Sequence, residues 1–163
     1  MADSGDESVR HVDLDSTWAP GFLELYEARW APMVRLARLV TAADPAAEEL
    51  VQDAFLRVHA HWDRVDNPPG YLRAAVVNAC RNHQRRGVLE QRHRPLPRAS
   101  TDEPDELRDA IAALPIRRRT ALVLRYYEDL PEREIAEVLG CSVTAVKSLL
   151  HRAMQDLRKV IDR

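Results

Sequence analysis

The sequence predicts an all-α protein: two small helical domains joined by a flexible linker, the C-terminal one containing a helix-turn-helix. Three observations predict this. Apolar residues recur at helical spacing in seven segments, and no stretch sustains the alternation of a strand. Glycine is scarce, at 5 of 163 residues, in a chain dominated by Ala, Leu, Arg and Glu. Residues 87–103, GVLEQRHRPLPRASTDE, contain two prolines and few large apolar groups, and so read as a connector.

The elements follow in order. Residues 1–20 form an acidic tail expected to be disordered; five acids against Arg10 crowd its first fifteen positions. Helical periodicity covers about 21–40, 46–63 and 70–86, which make an N-terminal domain spanning 21–87. The linker occupies 88–103. Beyond it, in a domain spanning 104–163, the pattern resumes at about 105–113, 116–127, 132–139 and 143–161. Asp44-Pro45 reads as an N-cap followed by a proline at the first helical position. NPPG at 67–70 breaks the chain before the third helix, and Gly140 ends the sixth.

The last two helices carry the strongest local signal. In EREIAEVLGCSVTAVKSLLHRAMQDL, Ala136, Gly140 and Val146 meet the steric needs of a helix-turn-helix: a small residue where the helices cross, a turn residue free to take positive φ, and an apolar anchor on the second helix. At 100° per residue, Val143, Val146, Leu149, Leu150, Ala153 and Leu157 gather on one side. Thr144, Lys147, Ser148, His151 and Gln155 gather opposite, with Arg152 at the margin. No Asp or Glu occurs from Ser142 to Gln155, although acids outnumber bases in the whole chain. Such a face suits a major groove.

Two N-terminal helices also carry patterned polar faces. In AAEELVQDAFLRVHAHW, Ala47, Val51, Phe55, Val58 and Trp62 form the inward stripe. Glu49, Gln52 and Asp53 lie opposite, with Leu56 in their midst, the mixture expected of a protein interface. In YLRAAVVNACRNHQRR, Leu72, Ala75, Val76 and Ala79 face inward, while Asn78, Arg81, Asn82 and Arg85 line up at spacings of three and four. Arginine with asparagine suits phosphates and base edges. Seven arginines against Glu90 between residues 73 and 98 point the same way.

Together AAEELVQDAFLRVHAHWDRV, YLRAAVVNACRN and LPIRRRTALVLRYYEDLPEREIAEVLGCSVTAVKSLLHRA resemble the bacterial sigma-70 family, in its small extracytoplasmic-function group, over about residues 21–87 and 104–160. The resemblance implies a promoter-specificity subunit whose partners are core RNA polymerase and promoter DNA; an anti-sigma factor is a further partner it allows. Residues 21–87 resemble region 2. There Glu49, Gln52 and Asp53, with Leu56 among them, match the contact to the clamp helices of the largest polymerase subunit. The loop at 64–70 and the helix after it match the element that melts the −10 region and captures a flipped base, with Asn78 foremost, then Arg81 and Asn82; Arg85, on the same face, is read from its charge as a phosphate contact. LPIRRRTALVLRYY resembles the part that binds the flap of the second-largest subunit. Thr144, Lys147, Ser148, His151 and Arg152 match the face of region 4 that reads the −35 element. The family's autoinhibitory first region and third domain are expected to be absent. Pro131 departs from the Ser or Thr cap usual there, so Asp129 is expected to cap instead.

The physics agrees with such a role. Two elements some twenty-five base pairs apart are separated by about 85 Å, at roughly 3.4 Å per pair. The connector at 87–103 reaches at most about 56 Å when extended, and two domain widths supply the rest. Capture of an unstacked base offsets a few kcal/mol of opening cost, so melting needs no nucleotide hydrolysis. The competing reading, a stand-alone helix-turn-helix regulator, leaves the faces of residues 49–56 and 78–85 without a task.

Other classes find little support. No phosphate-binding GxxxxGK[ST] loop, GxSxG elbow or CxxC pair occurs, so neither catalytic residues nor a cofactor are expected. His59 and His61, two apart, diverge by about 200° on a helix, so no metal site is expected. Cys80 and Cys141 fit reduced thiols. No apolar run approaches the roughly 18 residues of a spanning helix, and MADSGDESVRHVDLD lacks the apolar core of a secretion signal. The expectation is a cytoplasmic protein without membrane insertion.

Overall fold

The computed structural model describes residues 18–90 and 105–162. Among these residues it is all helical: α1 (Phe22–Val40), α2 (Ala47–Ala60), α3 (Pro68–Glu90), α4 (Glu106–Ala113), α5 (Ile116–Tyr126), α6 (Glu132–Leu139) and α7 (Val143–Ile161), with a short 3-10 turn at Trp62–Arg64. All seven expected helices are present, and their bounds differ in instructive ways.

Helix α3 begins at Pro68, so the two prolines start the helix and do not merely precede it. Asn67 Oδ1 accepts from Gly70 N at 3.2 Å, and proline has no N–H to leave unpaired in a first turn. The same helix continues through Gly87 to Glu90, past the expected boundary and into the first three residues of the expected linker. The remaining linker residues, 91–103, and tail residues 1–17 lie outside the described residues. Residues 18–20 do not belong to a tail: Trp18 stacks on Phe22, with ring centroids 5.3 Å apart, and meets His59 edge-on at 4.7 Å. Asp44 also differs from expectation, because α2 starts after Ala46. Its Oδ1 instead accepts from Ala46 N at 2.8 Å, holding the turn ahead of the helix, while His83 Nε2 lies 3.0 Å from Oδ2.

Helices α1, α2 and α3 pack around Met33, Leu36, Val40, Val51, Phe55, Val58, Leu72, Val76, Val77 and Cys80, all buried. The few aromatic residues concentrate at one end, where Phe22 meets Phe55 and Trp62 edge-on and Tyr26 stacks on Trp30. Edge-to-face and offset contacts of this kind add to area burial and pin α1 onto α2. Burial pushes the Cys80 thiol up to about 12, with Asp44 adding to the shift, so it is a packing residue, not a nucleophile.

The C-terminal helices do not stand apart. Ala121, Val123, Leu124, Leu130 and Ile135 join the same continuous apolar core as α1–α3, while Ala110, Leu114, Leu122, Ala153 and Leu157 form a second, smaller one. Helix α5 therefore faces both ways, towards α7 on one side and towards α1 and α3 on the other. Arg119, only 5% exposed, lies at that junction. Its Nε donates to Val40 O at 2.8 Å, its Nη1 to Ala112 O at 2.7 Å and Leu114 O at 3.0 Å, and its Nη2 to Gln84 Oε1 at 2.7 Å. Gln84 Nε2 in turn donates to Thr41 O at 2.8 Å. The last carbonyls of a helix have no partner within it and carry the negative end of its dipole. One guanidinium thus caps α1 from the first domain and the end of α4 from the second.

Candidate polymerase and DNA surfaces

The face of α2 follows from its buried stripe. Ala47, Val51, Ala54, Phe55 and Val58 point into the core, so Glu49, Gln52, Asp53 and Leu56 all emerge on the opposite side, Leu56 with 53% of its surface exposed. Trp62 lies on the 3-10 turn and is half-buried. A leucine ringed by acids and an amide is a small apolar contact with a polar border, suited to a partner carrying basic side chains.

On α3, Asn78, Asn82 and Arg85 are exposed and Arg81 is half-buried. Burial lowers the Arg81 pKa, and the like charges of Arg85 and Arg117 lower it further. Arg117, on α5, thus extends the positive region of α3. At the other end of α3, Tyr71 is exposed, with His61 beside it at 6.2 Å between ring centroids. The loop between the 3-10 turn and α3 is short, comprising Val65, Asp66 and Asn67.

The helix-turn-helix forms as its spacing predicts. Gly140 takes φ 63° and ψ 41°, and Cys141 N donates to Ala136 O at 3.0 Å, closing α6. Ser142 caps α7, its Oγ accepting from Ala145 N at 3.1 Å. Val146 is fully buried against α6, and Thr144, Lys147, Ser148, His151 and Arg152 are exposed together. Val143 departs from expectation: placed directly after the cap, it is 38% exposed and contributes little to the packed face. Asp129 is not a cap. It takes φ 53° and lies 3.7 Å from Arg125, while Pro131 precedes α6 with no side-chain cap bond. Nor is α7 free of acids in three dimensions, since Glu132 Oε2 of α6 lies 3.8 Å from Lys147 Nζ.

A Cβ at Gly140 would meet nothing within 4 Å, so substitution there tests backbone conformation alone. Gly140→Ala is expected to lower stability by about 1–2 kcal/mol in thermal unfolding, and Gly140→Asn by less, because asparagine tolerates the left-handed region better. Equal losses for the two would mean that backbone conformation is not what the glycine supplies.

Sequence reasoning missed the residues that join the halves: Arg119, Gln84, Arg73 and Glu128. A signal existed for the first. Arg117, Arg118 and Arg119 are consecutive on a helix and spread over about 200°, so one of them has to face inward. Arg118 instead pairs with Asp156 of α7 at 2.6 Å.

Comparison with known proteins decides what this arrangement belongs to. Residues 25–88 match the family described as Sigma-70 region 2, and residues 105–157 match Sigma-70, region 4. The chain belongs to the sigma-70 family. The RNA polymerase sigma-E factor of Streptomyces avermitilis is 32% identical over 152 residues, covering 86% of this chain and 85% of that protein. The ECF RNA polymerase sigma factor SigM of Bacillus subtilis is 25% identical over 154 residues, covering 86% and 94%. Among solved structures, the sigma factor RpoE of Bartonella quintana, in complex with the anti-sigma factor NepR, shares the fold with a TM-score of 0.75 at 19% identity. That match covers 88% of this chain and 98% of that one. CnrH, in complex with the cytosolic domain of CnrY, follows with a TM-score of 0.63 at 20% identity over 86% and 87%.

This sigma factor, of the extracytoplasmic-function group, binds core RNA polymerase and directs it to promoters. The region 2 match accounts for the N-terminal helices that a stand-alone regulator would leave idle. The family acts in transcription initiation. Among the described residues no helix is long and apolar enough to cross a membrane.

Proposed function

We propose that residues 21–87 dock on core polymerase and open the −10 element while residues 104–163 read the −35 element, with 88–103 connecting them. Glu49, Gln52, Asp53 and Leu56 take the clamp helices of the largest subunit. Asn78 approaches a displaced base with Asn82, and Arg81 and Arg85 hold the neighbouring phosphates. Thr144, Ser148 and His151 face base edges, and Lys147 and Arg152 face phosphates. A groove of about 280 Å³ between α1, α4, α5 and α7, lined by Leu39, Ile111, Leu122, Tyr126 and Met154 among others, suits an apolar contact from the flap of the second-largest subunit. The protein works in the cytoplasm, catalyses no reaction of its own and is open to an anti-sigma partner like the NepR named with RpoE.

The observation that carries this reading is the joint exposure of three separate polar faces, each opposite a packed stripe of its own helix, fully buried on α2 and α3 and anchored by Val146, Ala153 and Leu157 on α7. The polymerase face is the one to test first. Purified chain is expected to co-elute with core RNA polymerase, and the Glu49→Ala/Gln52→Ala/Asp53→Ala variant is expected to lose that co-elution while keeping its helical circular dichroism. Undiminished binding by a folded variant would remove the α2 face from the interface.

A further inference from the structure

The groove between α1, α4, α5 and α7 continues beyond its apolar lining. Tyr126 and Met154 line it, and the same two residues line a second recess of about 370 Å³ between α5, α6 and α7. The rest of the groove is walled by Leu39, Ile111, Leu122, Val123, Tyr127 and Leu157. The second recess carries Arg125, Glu132, His151, Gln155 and Arg158. An apolar slot of about 280 Å³ thus opens at one end onto a polar recess holding two permanent cations. A mostly apolar wall with a few polar groups placed to orient the occupant is the usual make-up of a small-ligand site.

The charges in the recess are unevenly matched. Glu132 is the one carboxylate in its lining, and that group lies 3.8 Å from Lys147 Nζ. Arg125 lies 3.7 Å from Asp129, whose side chain is 96% exposed, so that pair is weak. Arg158 makes no ion pair among the described residues, since nearby Asp156 is taken by Arg118 at 2.6 Å and by Lys159 at 4.0 Å. Two guanidiniums therefore line the recess with little to answer them. Each presents a planar fork that takes a carboxylate through two parallel hydrogen bonds. Met154, at the junction, is unbranched and adapts to what lies against it. The order of tail and head matters here: an apolar side chain from a protein partner would fill the groove and leave both guanidiniums unanswered.

We propose that these joined recesses bind a single-chain acyl anion, the hydrocarbon tail lying in the groove and the carboxylate on Arg125 and Arg158. The occupied groove is closed to the flap, and the added negative charge lies beside His151 on the face turned to DNA. Binding therefore withdraws the chain from promoters and makes it responsive to free acyl chains. The site stands on the recesses alone; its effect on promoters rests on the flap and −35 assignments above.

The probe is decanoate, kept below its micelle concentration and titrated calorimetrically into the full chain, with helical circular dichroism as the fold control. Decanoate is expected to bind, and decanol, the same tail without the charge, to bind about tenfold more weakly. Affinity is expected to rise about fourfold per methylene from hexanoate to decanoate as the tail enters the groove. Arg158→Gln, a change at an exposed position, should weaken decanoate about tenfold and leave decanol unchanged. Holoenzyme is then assayed on a promoter fragment with decanoate at ten times its wild-type Kd. Promoter affinity should fall about elevenfold for the wild type and about twofold for Arg158→Gln. Absence of binding overturns the site. Equal affinity for decanoate, decanol and decyltrimethylammonium does the same, since that is indiscriminate adsorption. An affinity indifferent to tail length or to Arg158→Gln is equally fatal, and binding that leaves promoter affinity untouched overturns the regulatory step. Failure of the surface assignments looks different: the holoenzyme then ignores Lys147→Ala and Arg152→Ala, whether or not decanoate binds the free chain.

Discussion

Replacing Arg119 by methionine is expected to destabilise the folded chain by about 3–5 kcal/mol, because its charge-assisted hydrogen bonds run to neutral acceptors that cost roughly 1–3 kcal/mol each when buried and left unpaired. The side chain would fit, so the loss comes from what it leaves behind. Val40 O, Ala112 O, Leu114 O and Gln84 Oε1 would each lose a donor within 2.7–3.0 Å. A buried acceptor stripped of its partner costs roughly 1–3 kcal/mol, and not all four are out of reach of water. Burial lowers the arginine's own pKa, but a guanidinium remains charged through the ordinary pH range, so this network does not titrate away. Arg119→Lys keeps the charge and loses the planar fork; it should recover less than half of the loss.

The measurement can separate the two halves. Trp18, Trp30 and Trp62 all lie in the N-terminal half, so tryptophan fluorescence follows α1–α3 while circular dichroism follows every helix. Because Arg119 caps both α1 and α4, both probes should shift to lower urea together. A shift confined to circular dichroism would mean that the bond to Val40 contributes nothing to the N-terminal half. A total loss under about 1 kcal/mol would mean that water or other donors replace the guanidinium at these four acceptors.

That residue also shows where reading the sequence stops. Helices, the αL turn at Gly140 and the outward face of α7 depend on neighbours within a few positions, and periodicity reports such neighbours well. The faces of α2 and α3 were legible for the same reason: Val51, Phe55 and Val58 fix one side of α2, and Glu49, Gln52 and Asp53 have only the other. Caps supplied across the fold are not local. Nothing near Val40 says that its carbonyl is answered by a side chain 79 positions later, and nothing near Glu128 names Arg73, 55 positions earlier. The misjudged boundaries have the same origin. Asp44 reads as an N-cap until His83 of α3 draws its second oxygen, and Asp129 reads as one until positive φ turns it towards Arg125. The docking of the halves was therefore illegible, since a linker-like composition describes the connection and is silent on whether its ends meet.

The recognition helix yields the other large effect. With holoenzyme on a promoter fragment, replacing Lys147 and Arg152 by alanine is expected to make the plot of log affinity against log salt shallower by about 1.8, because each phosphate contact contributes roughly 0.9. The accompanying loss at low salt should be ten-fold or more and should be similar for cognate and unrelated −35 sequences, since phosphates carry no sequence. Replacing Ser148 and His151 should do the reverse, leaving the slope in place while discrimination at the −35 element falls by about 1–3 kcal/mol for each well-formed hydrogen-bonded pairing with a base edge that is removed. Glu132 supplies a control within the same motif. Its carboxylate lies 3.8 Å from Lys147 Nζ in the free chain, so Lys147 exchanges that partner for a phosphate on binding. Glu132→Gln should therefore strengthen binding slightly, by no more than about 1 kcal/mol for so exposed a pair, and only while Lys147 is present. A gain that survives Lys147→Ala would mean that Glu132 acts by general repulsion of DNA and not through its partner. A salt slope indifferent to both cations would turn the whole face of α7 away from the duplex.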